Sequence, residues 1–224
     1  MGHEIENTAI ARGHEIIARI DNEQDWGSVT GGDVIIDFTT AEAAPGVARI
    51  AFQKNIPFVS GTTGWNNTLN EIKEEALRDG KTFFYSSNFS IGANIFFNIN
   101  KRLASFLKNN PDYSAHIHEV HHIHKKDAPS GTAIYLANDI LPDCNKYSHW
   151  TSNNDDKSGL LITSERVDEV PGTHIVTWDS EVDSIELKHT AHSRKGLALG
   201  AIIAAEWVVG RKGVFGMNDL LSMD

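Results

Sequence analysis

Residues 1–90 switch repeatedly between two hydrophobic periods, and that alternation constrains the fold more than any single motif. Compact apolar runs at 34–38 (VIIDF), 57–61 (PFVSG) and 82–86 (TFFYS) have the continuous character of strands buried on both faces. Between them, residues 41–55 carry Ala, Val, Ile and Phe at helical spacing. Residues 67–78 form a charged helix that stops at Gly80, a residue suited to a left-handed turn. Residues 2–12 read as a further helix and 15–21 (EIIARID) as a further strand. Strands alternating with helices of this length predict a doubly wound, Rossmann-like parallel sheet covered on both faces. Such a sheet opens with a strand and a glycine-rich turn. Here a helix follows directly on Met1 and Gly2, so the first strand is expected to be missing from this sequence.

Beyond residue 92 the pattern changes. Residues 94–109 form a longer amphipathic helix, 113–121 are extended, 131–141 are helical, and 142–158 are polar and irregular. Residues 159–193 hold LLITSERVDEV, HIVTWD and SIELKHTAH, alternating strands that predict a second α+β domain with a mainly antiparallel, open sheet. An apolar helix at 196–209 precedes a short tail. The expected domains are 1–92 with 195–224, and 93–194. A chain of 224 residues, 40% of them hydrophobic, has enough apolar mass to give each a core.

Thirty acidic against twenty basic side chains leave a net charge of -10, which disfavours a general nucleic-acid binder but leaves room for a local basic pocket. The longest apolar stretch, 196–205, falls far short of the roughly 20 residues a membrane span needs. The amino terminus, MGHEIENTAIARGHE, lacks the apolar core of a signal peptide. The single cysteine, Cys144, forms no internal disulfide, as suits a reducing compartment. A cytoplasmic protein is expected, with no nucleic-acid or membrane partner.

The chemistry is concentrated in AHIHEVHHIHKKDAPSGTA, residues 115–133, where His116, His118, His121, His122 and His124 precede Lys125 and Lys126. In a strand, His116 and His118 point one way while Ile117, Glu119 and His121 point the other. Three readings compete: a polar edge strand, a metal site, and an acid–base and anion site. The adjacent lysine charges oppose a bound cation, and no clear carboxylate or thiolate set accompanies the imidazoles, so no metal ligands are assigned. For the third reading, imidazole titrates near neutrality and a lysine crowded by cations releases its proton more easily. Asp127-Ala128-Pro129 reads as a rigid turn. Ser130 suits a helix N-cap, and free amides around Gly131 and Thr132 would meet a carboxylate or phosphate. In the first domain, Asp21 ends a predicted strand where an acidic residue can bind a ribose. Asp37-Phe38-Thr39-Thr40, Gly61-Thr62-Thr63-Gly64 and Ser86-Ser87-Asn88-Phe89-Ser90 end three more, marking the ligand edge of a doubly wound sheet.

EVHHIHKKDAPSGTA at 119–133, together with DFTT, SGTTGW and SSNFSIGAN in order along the chain, resembles the dihydrodipicolinate (4-hydroxy-tetrahydrodipicolinate) reductases of lysine and diaminopimelate synthesis. The resemblance covers the whole chain. It implies reduction of the cyclic substrate by NADH or NADPH, with His121 as acid–base histidine and Lys125 as proton donor. His122, Ser130, Gly131 and Thr132 would grip the substrate's carboxylates. Gly61, Thr62, Thr63, Ser86, Ser87, Asn88 and Phe89 would contact the cofactor, and Asp21 would take the ribose position. Met1 and Gly2 stand for the end of the family's pyrophosphate-binding glycine turn. A homotetramer is implied as well. At Leu197 the chain departs from the family, which carries an aromatic residue there. The rival readings are a two-domain dehydrogenase for another small anionic substrate, and a non-catalytic histidine-rich metal-binding protein.

Overall fold

Three of the apolar runs become the parallel strands β1 (Ile35–Asp37), β2 (Phe58–Ser60) and β3 (Thr82–Tyr85). The computed structural model describes residues 1–21, 26–27 and 29–223. They divide into two units, Met1–Ile91 with Lys195–Asp224, and Gly92–Arg194.

In the first unit the strand period of two sorts the core into two layers. Phe58 and Phe83, in register and stacked at 5.5 Å, face α2 (Ala44–Gln53) and α3 (Asn66–Arg78). Val59 and Phe84 point the other way, onto α1 (Gly2–Ala11) and α6 (Lys195–Val208). Both faces of the sheet are thus buried, which is why its strands read as unbroken apolar runs. Each fully buried phenylalanine contributes about 1.5–3 kcal/mol. Helix α1 meets α6 through Ile5 and Ala9, one helical turn apart, against Ala198, Ala201 and Ile202.

The short tail, to which the sequence assigned no element, forms β9 (Gly213–Phe215), which pairs in parallel with β3 and gives the order β1-β2-β3-β9, and α7 (Met217–Leu221) follows. One expectation changes here. Residues 15–21 form no strand. An extended segment becomes a strand only through a neighbour's hydrogen bonds, and among the described residues 14–20 have no ladder partner. Instead Ile16 packs partly against the α1–α6 layer, Ile17 is exposed, and Arg19 pairs with Glu6 of α1.

The second unit is built on β4 (Ser114–His121), the centre of a five-stranded sheet with β5 (His149–Thr151), β6 (Gly159–Arg166), β7 (Gly172–Asp179) and β8 (Ser184–Ala191). The order is β5-β6-β4-β7-β8. Antiparallel ladders dominate: β7 pairs over seven residues with β4 and eight with β8, against six and three residue pairs in the parallel β4–β6 and β5–β6 ladders. Ala115 and Ile117 of β4, Leu160 and Ile162 of β6, and Val176 and Trp178 of β7 line the inner face. They pack on α4 (Ile91–Leu107) and α5 (Gly131–Ile140). Among the described residues no helix is long and apolar enough to cross a membrane.

Candidate active site

At one end of the second unit's sheet the inner rows stop being apolar on all three central strands. The row Ala115, Ile117 continues as Glu119 and His121, and the row Leu160, Ile162 as Ser164 and Arg166. On antiparallel β7 the row Trp178, Val176 continues as His174. Register brings these together: Glu119 stands beside Ser164 on one side and His174 on the other, and His121 stands beside Arg166. His116 and His118 point away from the core, as the strand period requires.

Glu119 is fully buried and organises the cluster. Its carboxylate accepts the Ser130 amide at 3.0 and 3.2 Å and the Ser164 hydroxyl at 2.8 Å. Arg166 Nη2 donates to Oε1 at 3.4 Å, and His174 Nε2 lies 3.5 Å from Oε2. Burial alone would raise the carboxyl, but the bonds from His174, Ser130 and Ser164 outweigh it and hold the group well below the usual carboxylate range. Buried groups of this kind persist only when every oxygen is satisfied.

His121 shares the pocket, with Nδ1 3.6 Å from Glu119 Oε2 and its ring edge-on to His174 at 4.9 Å. Burial pushes its imidazole down to about 4, with His174, Lys125 and Arg166 adding to the effect and Glu119 opposing it. The expected titration near neutrality therefore gives way to a neutral ring, because a desolvated cation would stand among other cations. His121 Nδ1 has no hydrogen-bond partner among the described residues. Gly172 lets the ring sit where it does: a Cβ there would lie 3.1 Å from Nε2.

Lys125 lies in the loop after β4. Its ammonium donates to both oxygens of Asp127, at 2.8 and 2.9 Å. The neighbour of its head is thus a carboxylate, not the crowd of cations expected from sequence, since the loop folds Asp127 back onto it. The lysine in turn keeps Asp127 below the usual carboxylate range. Arg166 ties the same loop down, donating to Asp127 O at 2.6 Å and Lys125 O at 3.4 Å. Lys125, Asp127, Arg166, Glu119 and Ser130 therefore form one continuous chain of hydrogen bonds.

Ser130 caps α5, its hydroxyl accepting the Ala133 amide at 3.2 Å and lying 3.1 Å from His174 Nε2. Its own amide is not free for a ligand, because Glu119 already occupies it. The donors left at the helix mouth are the first-turn amides of Gly131 and Thr132. His122 is half-buried beside the loop, with Nδ1 unpartnered among the described residues. Sequence reasoning missed His174, Arg166 and the organising part of Glu119. A signal for His174 existed: alternation puts it on the inner face with Val176 and Trp178, where an imidazole needs a polar partner. The donor atoms of Glu119, His121 and His174 lie within 4.8 Å of one another. The Arg166 guanidinium answers the charge of that carboxylate, and the Ser130 amide and Ser164 hydroxyl already occupy it, so Glu119 is engaged within the fold rather than held open for a cation.

In the first unit, Asp37 ends β1 buried and accepts hydroxyls of Thr39 at 2.6 Å, Ser60 at 2.7 Å and Thr62 at 2.8 Å. Gly61 donates its amide to Asp37 O, and a Cβ there would lie 2.2 Å from the Phe38 ring. Thr62 spends its hydroxyl on Asp37 at the end of β1 and Ser86 on Asn88 O in its own loop, and Phe89 is buried between Phe38 and Phe84. Asn88 accepts the Ser90 amide. These side chains shape the strand ends, and Thr63 and Ser87 are exposed beside them after β2 and β3. Met1 precedes α1, whose first turn has no side-chain cap, so the amides from Gly2 onward suit a phosphate. Asp21 is exposed, at the end of a segment that is not a strand.

Residues 1–89 match the family model for the dihydrodipicolinate reductase N-terminus, and residues 92–221 the model for its C-terminus. The chain is 42% identical to the 4-hydroxy-tetrahydrodipicolinate reductase of Christiangramia forsetii, over 99% of this chain and 94% of that one. It is 34% identical to the enzyme of the same name from Archaeoglobus fulgidus, over 99% and 95% of the two chains. A solved dihydrodipicolinate reductase from Paenisporosarcina sp. TG-14, described as dipicolinate-bound, shares the fold with a TM-score of 0.78 at 21% identity, covering 96% of this chain and 92% of that one. Both halves of the molecule match in order and nearly end to end, and the chain belongs to the dihydrodipicolinate reductase family, the NADH- or NADPH-dependent 4-hydroxy-tetrahydrodipicolinate reductases of lysine biosynthesis.

Proposed function

We propose that residues 93–194 bind the dicarboxylate substrate and supply its proton, and that residues 1–92 with 195–224 bind the nicotinamide cofactor. The observation that carries this reading is the hydrogen-bond chain joining Lys125 to the mouth of α5 through Asp127, Arg166 and Glu119. It ties a proton donor to an anion-binding helix end. The amides of Gly131 and Thr132, with His122, take the substrate's carboxylates, and Ser130 acts as the cap that orients them. Lys125 protonates the reduced ring. His121, neutral and buried, accepts or relays a proton beside it rather than carrying a fixed charge.

When bound, NADH or NADPH supplies the hydride. Thr63, Ser87 and the main chain of Gly61, Thr62, Ser86, Asn88 and Phe89 hold it at the strand ends, and the first-turn amides after Met1 and Gly2 hold its phosphates. Asp21 has no strand to fix it, so its contribution to the ribose is small. The chain's work is positioning and charge neutralisation. We further infer a cytoplasmic homotetramer, since the outward face of β4–β8 is a long unpaired surface of the kind that assembly covers.

Turnover of 4-hydroxy-tetrahydrodipicolinate with each cofactor, in wild type and in His122→Ala, tests the site. A raised substrate KM in the variant with cofactor affinity unchanged is expected. An unchanged substrate KM would remove His122 from the carboxylate grip. Light scattering of the purified protein reads the oligomeric state.

A further inference from the structure

Arg166 has no part in the reading above beyond linking two others, yet its geometry is specific. It leaves the end of β6 opposite His121, and its side chain is mostly shielded. Its planar fork spreads over three main-chain carbonyls. Nη2 donates to Asp127 O at 2.6 Å, Nη1 to Glu165 O at 2.8 Å and Nε to Lys125 O at 3.4 Å. The positive charge is met by Glu119 Oε1 at 3.4 Å, a carboxylate with no exposure of its own. With its donors turned to carbonyls and its charge answered from inside, this arginine is engaged by the protein and not held open for a ligand.

Two of these three carbonyls belong to the residues of one ion pair, and the third is that of its own neighbour Glu165. Lys125 Nζ is fastened to Asp127, and the main chain at both residues hangs from the same guanidinium. Within the loop the Lys125 amide also donates to His122 O at 3.1 Å, and the ties from the loop to the rest of the unit besides Arg166 lie towards its ends: Ile123 N to Asp168 O at 3.1 Å, and Ser130 N to Glu119. A lysine head on four flexible carbons is positioned only as well as the main chain beneath it.

We propose that Arg166 is a positioning residue that holds Lys125 and Asp127 by their main-chain carbonyls, itself anchored on the buried carboxylate of Glu119. Only a planar fork spans these carbonyls; an ammonium is a point charge that reaches one. The inference rests on Lys125 being the proton donor, and the experiment separates the two.

Steady-state kinetics and thermal melting are measured for Arg166→Gln, Arg166→Lys, Lys125→Met and the double variant Lys125→Met/Arg166→Gln. Arg166→Gln is expected to lower kcat about ten- to hundredfold, the cost of a misplacement of order 1 Å, while cofactor KM moves less than about threefold. Arg166→Lys keeps the charge beside Glu119, and with it the fold. It is expected to lose about tenfold in kcat with a near-native melting temperature. Adding Arg166→Gln to Lys125→Met is expected to cost no more than about twofold, because the arginine acts through the lysine. Wild-type kcat in Arg166→Lys, or losses that multiply in the double variant, would overturn the inference alone. Wild-type kcat in Lys125→Met would overturn the assignment of Lys125, and this inference with it.

Discussion

Each unit buries one carboxylate where its strands give way to loops, and the two are bonded in opposite styles. Asp37 is 2% exposed and is met by the hydroxyls of Thr39, Ser60 and Thr62 and by the Thr39 amide, with no cation beside it among the described residues. Glu119 is 0% exposed and is met by an amide, a hydroxyl, an imidazole and a guanidinium. Neutral hydroxyls do not titrate, so the first arrangement sets a shape and nothing else. Imidazoles, an ammonium and a guanidinium round the second let one anion fix both a geometry and a distribution of protons. Two similar buried acids thus serve a scaffold in one unit and a chemical site in the other.

The largest effect that would sharpen this contrast is at Lys125. Lys125→Ala is expected to lower kcat about a hundred- to a thousandfold, as loss of a general acid does, while the cofactor dissociation constant stays put. Equal losses in both would place the lysine on the cofactor and erase the distinction between the units.

Next comes a matched pair of neutralising substitutions. Glu119→Gln strands a buried guanidinium and is expected to cost about 3 kcal/mol in denaturant unfolding. Asp37→Asn keeps most of its hydroxyl bonds and is expected to cost about 1–2 kcal/mol. Equal costs would show that the charge around Glu119 does not distinguish it.

Acid should separate the units as well. His121 sits at about 4 in the fold against 6.5 unperturbed, so the unfolded chain takes up the proton first as pH falls. Its contribution is complete above about 6.5 and lost down to about 4, at most about 3–4 kcal/mol at 1.4 kcal/mol per unit. Glu119, also depressed in the fold, adds a loss of the same sign below its unperturbed 4.5. Melting temperature across this range should fall less steeply in His121→Gln, and a wild-type slope in that variant would contradict the neutral buried ring. The smallest effect is expected at Ser87→Ala, a two- to threefold rise in cofactor KM for the hydroxyl of one exposed residue, about 0.5 kcal/mol. No change would leave the main chain alone to hold the cofactor at that strand end.

What was legible beforehand follows interaction range. The alternation of runs such as VIIDF and TFFYS with helical stretches is local, and α2, α3, β1, β2 and β3 appear where the pattern puts them. The inward placing of Glu119 and His121 is also local, since a strand's period decides it. The segment 15–21 misled because strand propensity is not a strand without a partner. GVF at 213–215 was passed over for the converse reason: three residues carry little pattern, and pairing with β3 makes them a strand. Ser164, Arg166 and His174 stand 45, 47 and 55 positions from Glu119 in the chain. No spacing rule reaches that far.

By itself, then, the sequence determined the doubly wound half, the alternating-strand half, the inner row ending in Glu119 and His121, and the family motif that follows. Only the tertiary structure decided which groups that row would meet, that the Ser130 amide would be spent on Glu119, that Asp127 would fold onto Lys125, and that His121 would be neutral. The physical reason is that cross-strand hydrogen bonds depend on register and proton affinity on burial, and both arise only when distant segments of the chain are packed together.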